Sequence, residues 1–354
     1  MDVSPLALPR TGIGNWLRGA VAGLAEAAGP DDEVVPFAVT GPRGRVAIPA
    51  ALSGIAPEPR LLRLPLARAW RWAWSRARRP PLERVLGPFD VLHYSDWWFP
   101  PQAGGVRATM IHDLVPLRRP DWVQRRTRSL HVAKYRDAAR SCDVIFVNSE
   151  FTAREVVDGL GFPRERIRVA YPGVDPLFRP DGPRADLGRP YVLTVATLEP
   201  RKNLEAALAA HRLLADTGVA LAVVGAEGWG KRPELDVPGV IRLGYVDDAE
   251  LARLFRSAAA FAYPSRFEGF GTPVVEAMAS GVPVVASAHQ SLDEASGDVA
   301  LRADPERPDE LAAALRRALG DEGRGRVERG LAHAAQFTWR GTGEALLAGY
   351  RDAR

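Results

Sequence analysis

Apolar residues in the second half of the chain come in short unbroken runs, each followed by a stretch with helical spacing. Residues 191–198 (YVLTVATL) read as a buried strand, and 203–216 (NLEAALAAHRLLAD) as the helix after it, stopped by Gly218. The alternation continues with strands at 219–224 and 240–246, a helix at 247–258, a strand at 259–263, a helix at 273–280 and a strand at 282–286. Continuous apolar strands between amphipathic helices predict parallel βαβ units with both sheet faces covered. This half is therefore expected to be a doubly wound, Rossmann-like domain, with its ligands beyond the carboxyl ends of the strands.

The first half alternates less regularly. Strands are expected at 33–39, 90–94, 107–112, 143–147 and 167–171, and helices at 14–27, 66–79, 123–140 and 152–160. Thr152 and Glu155 have the spacing of a capping box at the start of the last helix. Residues 172–190 are rich in Pro, Gly and Asp, lack periodicity and read as the interdomain linker. The expected division is 1–178, 179–335 and a C-terminal helical tail over 336–354. The opening MDVSPLALPR leaves little of a first strand: either the true start lies upstream or the edge of that sheet is short.

Length and composition fit this reading. The chain has 354 residues, 46% hydrophobic and 25% charged, as expected of two globular domains and not of a disordered or collagen-like chain. No run of apolar residues is long enough to span a membrane. Arg10, Arg18 and Glu26 interrupt any secretory h-region. The single cysteine, Cys142, excludes a disulfide framework and a Cys-based metal site, and is expected in the core. A cytosolic location follows as the default.

Charge changes the picture locally. The net charge is only +4, yet all but three of the 47 basic residues are arginine. GC-rich coding explains that average but not the clustering. Between 60 and 84, eight arginines face one acid, Glu83, with Trp70, Trp72 and Trp74 interleaved. A helix over 66–79 places Leu66, Ala69, Trp70, Ala73, Trp74 and Ala77 on one stripe. Arg68, Arg71, Trp72, Arg76 and Arg79 fall largely on another. Two readings stay open. The first packs the Leu/Trp stripe on the sheet with solvated arginines. The second is an interfacial helix, with Arg68, Arg71, Arg78 and Arg79 at anionic headgroups and Trp70 and Trp74 at the boundary. Nucleic acid is disfavoured, because no nucleic-acid motif accompanies the patch.

Candidate chemistry lies in two loops. Arg201-Lys202, in TLEPRKNL, sit beyond a strand where a helix begins; they form either an anion site or a solvated pair. In SRFEGFGTPVVE a strand exits into a glycine-bearing loop, and a helix starts near Pro273. The amides of Gly269, Phe270, Gly271 and Thr272 would be free at its mouth. Glu268 and Glu276 lie eight residues apart. Two carboxylates and a cationic pair can hold a ribose, a second sugar and the diphosphate between them.

The segment EGFGTPVVEAMASG, preceded by LEPRKNL, resembles the retaining GT-B glycosyltransferases of family 4. The resemblance runs along almost the whole chain: TGIG at Thr11 to Gly14, IHDLVPL with His112 and Asp113, VNSEFTARE, YPGVD, GYVDDAELARLFRSAAAFAYPS, SLDEASGDVALRADP and FTWRGTGEALLAGY. It implies a GT-B architecture, an α/β fold of two Rossmann-like doubly wound domains facing a cleft, with the last helix crossing back to the first domain. It implies that Glu276 binds ribose and Glu268 the donor-sugar hydroxyls. Arg201 and Lys202 neutralise the diphosphate. Gly269 to Thr272 touch donor sugar and phosphates, and Gly12 and Gly14 approach the phosphates from the other domain. His112 lies near the reacting sugar, and Asp113 orients its loop or caps a turn. His93, His131, His211, His289 and His333 read as structural. Gly225 to Gly230 either line the base pocket or turn a loop.

The expected reaction is retaining hexosyl transfer from a nucleotide sugar to a glycan or lipid-linked acceptor. GDP-mannose is favoured, with UDP- and dTDP-sugars open. No cofactor is expected. No metal-ligand spacing appears, so fixed cations must stabilise the leaving diphosphate. The alternatives are a sugar-nucleotide epimerase of the same architecture, and a non-catalytic nucleotide-sugar-binding component of a membrane assembly. The expected location is cytoplasmic, with the inner membrane surface as a peripheral site.

Overall fold

The structure is a computed structural model that describes residues 1–8, 11–95, 98–228 and 234–354, with the backbone alone at Arg126. It divides into two compact units, Met1–Gly173 with Thr338–Arg354, and Val174–Phe337.

In the first unit β1 (Phe37–Thr40) and β2 (Arg60–Arg63) pair in parallel. Strands β3 (Val91–Tyr94), β4 (Val106–Ile111), β5 (Val144–Val147) and β6 (Ile167–Val169) form a parallel sheet in that order. Met1–Val3 lies between the two sheets. Phe37 N donates to Met1 O, Val3 N to Phe37 O and Asp2 N to His93 O. These residues do the work of a first strand, and a 3-10 turn over Ser4–Ala7 follows. The buried Asp2 carboxylate accepts from Ser4 N, Ser4 Oγ and Ser95 Oγ, which satisfies it. The spatial order is thus β2-β1-(1–3)-β3-β4-β5-β6. Strands β1, β4 and β5 are buried at every position; β5 is an unbroken apolar run, whereas β4 also buries Arg107 and Thr109.

The helices of this unit are α1 (Gly12–Ala27), α2 (Pro42–Leu52), α3 (Ala67–Ala77), α4 (Glu83–Leu86), α5 (Val115–Arg118), α6 (Arg125–Ser141) and α7 (Glu150–Leu160). The cap of α7 differs from the expected box. Ser149 is the N-cap, its Oγ accepting from Thr152 N at 3.0 Å, while Glu155 pairs with Arg118 at 2.8 Å. Cys142 is buried in the core, and burial pushes its thiol up to about 12.

The second unit contains β7 (Tyr191–Val195), β8 (Ala220–Val224), β9 (Val240–Gly244), β10 (Ala260–Tyr263), β11 (Val284–Ser287) and β12 (Leu301–Ala303). All pair in parallel, in the order β12-β11-β10-β7-β8-β9. Helices α8 (Leu204–Arg212), α9 (Asp248–Ser257), α10 (Thr272–Ala279), α11 (Asp293–Ser296), α12 (Pro308–Leu319) and α13 (Asp321–Ala334) accompany them. The order reverses between β7 and β10, and a doubly wound sheet opens its ligand crevice beyond the carboxyl ends of the strands at that switch point. The Pro/Gly-rich segment after Gly173 is not a loose linker. Arg256 donates to Leu177 O, Arg179 O and Pro183 O, and Phe178 packs edge-on against Phe255.

The chain then returns to the first unit as α14 (Trp339–Asp352), which packs on α1. Glycines permit the approach. A Cβ on Gly23 would stand 1.8 Å from Trp339 O, and one on Gly343 2.1 Å from Gly23 O. Tyr350 Oη lies 2.6 Å from His93 Nδ1 in the core. Among the described residues no helix is long and apolar enough to cross a membrane.

Candidate active site

The loops after β7 and β10, the strands that flank the switch point, carry Arg201, Lys202 and Glu268. Arg201 and Lys202 end a 3-10 turn over Pro200–Lys202. Glu268 stands in the loop between β10 and α10 and is 5% exposed. Arg201 Nη1 donates to Glu268 Oε2 at 2.8 Å, and Lys202 Nζ to Glu268 Oε1 at 2.7 Å. On its other edge Arg201 donates to Glu199 Oε1 through Nη2 at 2.8 Å and Nε at 3.2 Å. Tyr263 Oη donates to Glu268 Oε1 at 3.0 Å and accepts from Lys202 Nζ at 2.8 Å. The cations expected to meet a diphosphate are thus held by carboxylates within the site.

Burial alone would raise the Glu268 carboxyl. Arg201 and Lys202 outweigh it and bring the pKa to about 2. Burial lowers the Lys202 ammonium, and the Arg201 charge adds to this against the pull of Glu268. Burial and the Glu268 charge hold the Tyr263 phenol well above its ordinary range, so it stays a neutral donor. Two cations and two carboxylates therefore form a hydrogen-bonded, nearly neutral network.

The glycine loop is equally determined. Gly271 has φ +99°, and a Cβ there would stand 2.5 Å from Leu292 Cδ2, so both backbone and space demand glycine. Phe270 is buried against Phe337. Thr272 begins α10, and the half-buried Glu276 lies one turn on in it. Sequence reasoning missed the support beneath Glu268. Its N–H donates to Ser291 Oγ at 3.0 Å, and that oxygen lies 2.8 Å from His289 Nδ1. His289, read as a structural histidine, is thus one residue removed from the site. Nothing in the sequence marked Ser291; Tyr263 carried one signal, a hydroxyl at the last position of an apolar strand.

Gly12, Gly14, His112 and Asp113 belong to the first unit. Thr11 caps α1, its Oγ1 accepting from Gly14 N at 3.3 Å. A Cβ on Gly12 would meet nothing within 4 Å, and one on Gly14 only ordinary contacts, so packing demands glycine at neither. His112 follows β4 and meets Trp16 edge-on, with centroids 5.1 Å apart. Asp113 caps a turn by accepting from Val115 N at 3.0 Å. Of Gly225 to Gly230, Trp229 and Gly230 lie outside the described residues.

The Arg/Trp helix departs from the first of its two readings, the stripe packed on the sheet. The Leu66–Trp70–Trp74 stripe is covered only at its far end: Leu66 is 81% exposed and Trp70 52%, while Trp74 is half-buried. Trp72, on the other stripe, is 65% exposed. Only Ala67 in α3 is buried; Trp74 lies against Trp98 and donates to Pro80 O. Leu66 and Arg78, at either end, adopt left-handed backbone. Arg68, Arg71, Arg78 and Arg79 make no ion pair among the described residues.

Two family models match the chain, "Glycosyltransferase Family 4" over residues 20–177 and "Glycosyl transferases group 1" over 189–321. The O-antigen chain mannosyltransferase B of Escherichia coli is 31% identical over 292 residues, 74% of either chain. A D-inositol 3-phosphate glycosyltransferase of Segniliparus rotundus is 35% identical over 237 residues, 60% of this chain and 52% of that protein. In fold, the sucrose-phosphate synthase of Thermosynechococcus elongatus superposes with a TM-score of 0.69 at 20% identity, covering 97% of this chain and 93% of that one.

Proposed function

The chain belongs to the family 4, group 1 glycosyltransferases with the GT-B fold, and on that premise we propose a retaining, metal-independent hexosyl transfer. The donor is a nucleotide sugar, GDP-mannose favoured over UDP- and dTDP-sugars, and the acceptor a hydroxyl of a glycan or lipid-linked glycan. The observation that carries this reading is the Arg201–Lys202 pair locked on buried Glu268 at the switch point. The mannosyltransferase relative supports the choice of sugar.

Breaking the anomeric C–O bond leaves a growing charge on the diphosphate, and Arg201 and Lys202 are the donors placed to stabilise it. Glu268 and Glu199 hold these cations still, so little reorganisation is needed as charge develops. Glu268 also accepts from donor-sugar hydroxyls, and Glu276 from the ribose. The amides from Gly269 to Thr272 meet sugar and phosphate. Gly12 and Gly14 leave the start of α1 open to phosphate, which accounts for glycine where packing does not ask for it. His112 contacts the reacting sugar. The acceptor oxygen bonds to the anomeric carbon on the face that the phosphate leaves, and the departing phosphate takes the acceptor's proton. The exposed tryptophans of α3, and its arginines without an ion pair among the described residues, support peripheral docking on the cytoplasmic membrane face.

A thermal-shift panel of GDP-mannose, UDP-glucose and dTDP-glucose, with and without EDTA, tests the donor. Selective stabilisation by GDP-mannose, unchanged by EDTA, is expected, with the donor's anomeric configuration kept in the product by NMR. Stabilisation by no nucleotide sugar, or an inverted product, overturns the proposal.

A further inference from the structure

Asn203 follows Lys202 directly and is one of only three non-glycine residues with positive φ among those described, at φ +55° and ψ +41°. It is 2% exposed. Asparagine tolerates the left-handed region better than most residues, and here that conformation turns the chain from the Pro200–Lys202 turn into α8. The side chain does not serve as a helix cap. Its Nδ2 donates instead to Pro264 O at 3.1 Å and to Pro305 O at 2.7 Å. Pro264 opens the loop that carries Glu268, and Pro305 follows β12. One amide nitrogen, with both of its protons used, therefore joins the loops after β7, β10 and β12. Arg266 runs a second tie along the same seam, N to Arg201 O at 2.9 Å and Nη1 to Pro200 O at 3.0 Å.

We propose that Asn203 is a positioning residue: its left-handed backbone and buried amide set the spacing between the Arg201–Lys202 turn and the Glu268 loop. The inference rests on the reading that Arg201 and Lys202 hold the donor diphosphate. The two loops come from different strands, and the contacts between their charged side chains are hydrogen bonds of 2.7 and 2.8 Å, which a shift of one ångström would break. A buried amide with two carbonyl partners resists that shift, because losing it leaves both carbonyls unsatisfied.

The test compares wild type with Asn203→Gly, which keeps the left-handed backbone without strain and removes both hydrogen bonds. The readout is the thermal stabilisation by GDP and UDP beyond that by guanosine and uridine, together with steady-state kinetics. Expected is loss of most of the diphosphate-dependent increment and a fall in kcat of about tenfold or more, with KM for the acceptor nearly unchanged. Asn203→Ser, which keeps one donor, is expected to fall between, and it decides the matter if the glycine variant is not soluble. A lower melting temperature without ligand, but a full diphosphate increment and full kcat, overturns the proposal and leaves Asn203 a purely structural residue. Wild type that gains nothing from the diphosphates overturns both this inference and the site reading beneath it.

Discussion

The two units are wound in the same order, yet the second unit and the segment 41–84 of the first use arginine in opposite ways. Elsewhere the first unit ties its arginines too, as in Arg107–Asp137 and Arg118–Glu155. In the second unit arginines are ties. Arg256, 6% exposed, donates to three backbone carbonyls; Arg302 reaches Asp293 and His289 O; Arg326 reaches Glu322 and Val299 O. In the first unit Arg43, Arg45, Arg63, Arg68, Arg71, Arg76, Arg78, Arg79 and Arg84 form no ion pair among the described residues. The reason is local: only Glu58 and Glu83 lie between 41 and 84. With acids this scarce, most arginines of the segment find no carboxylate and stay available to something outside the protein; Arg60 is the exception, reaching Glu33.

The largest effect is expected where cations and carboxylates are most tightly matched. Glu268→Gln leaves Arg201 and Lys202 buried without their shared charge. Transfer should fall by about 10²–10³ and stability by about 3 kcal/mol at neutral pH. A carboxyl held low in the folded state contributes stability that is complete above its ordinary value of 4.5. That contribution is lost as pH falls toward about 2. Denaturant melts of the two proteins should therefore converge between those pH values; a gap that persists in acid would detach Glu268 from the ion-pair network.

Next in size is Arg256→Met. It strands the carbonyls of Leu177, Arg179 and Pro183, and is expected to cost about 2–3 kcal/mol and to expose residues 177–183 to protease. A neutral result would remove the contrast between the units. Smaller again is the combined reversal Arg68→Glu, Arg76→Glu and Arg79→Glu. Sedimentation with vesicles containing phosphatidylglycerol should weaken by about tenfold or more, since each basic residue near an anionic surface contributes about 1 kcal/mol. Turnover of a water-soluble acceptor should hold. Equal binding to zwitterionic vesicles would sink the electrostatic reading.

Strand runs, helix stripes and the two charged loops were legible because buried parallel strands leave unbroken apolar runs. The glycine-bearing loop was legible from its place between a strand and a helix, but not the positive φ that requires glycine at 271. Three more features were not. Met1–Val3 act as a strand through hydrogen bonds to Phe37 and His93, residues distant in sequence, and three residues show no period. Ser291 and Asn203 support the site from loops whose approach depends on strand order. Helix α3 has a genuine amphipathic stripe, but period says which residues share a face and not whether a partner covers it; here Leu66 and Trp70 stay exposed.

The smallest prediction is the sharpest for the comparison. Arg45 lies in the first turn of α2, exposed, with Arg43 near it in sequence and no ion pair among the described residues. Its charge also sits at the positive end of the helix dipole, where a cation is unfavourable. Arg45→Ala removes that repulsion and installs a better helix former. Stability should rise or hold within about 0.5 kcal/mol. Any gain should shrink from low salt to high salt as screening removes the repulsion. A loss above about 1 kcal/mol, insensitive to salt, would mean that Arg45 is braced like Arg256 after all. An arginine of the 41–84 segment would then be structural, and the case for a partner would lean more heavily on the exposed tryptophans.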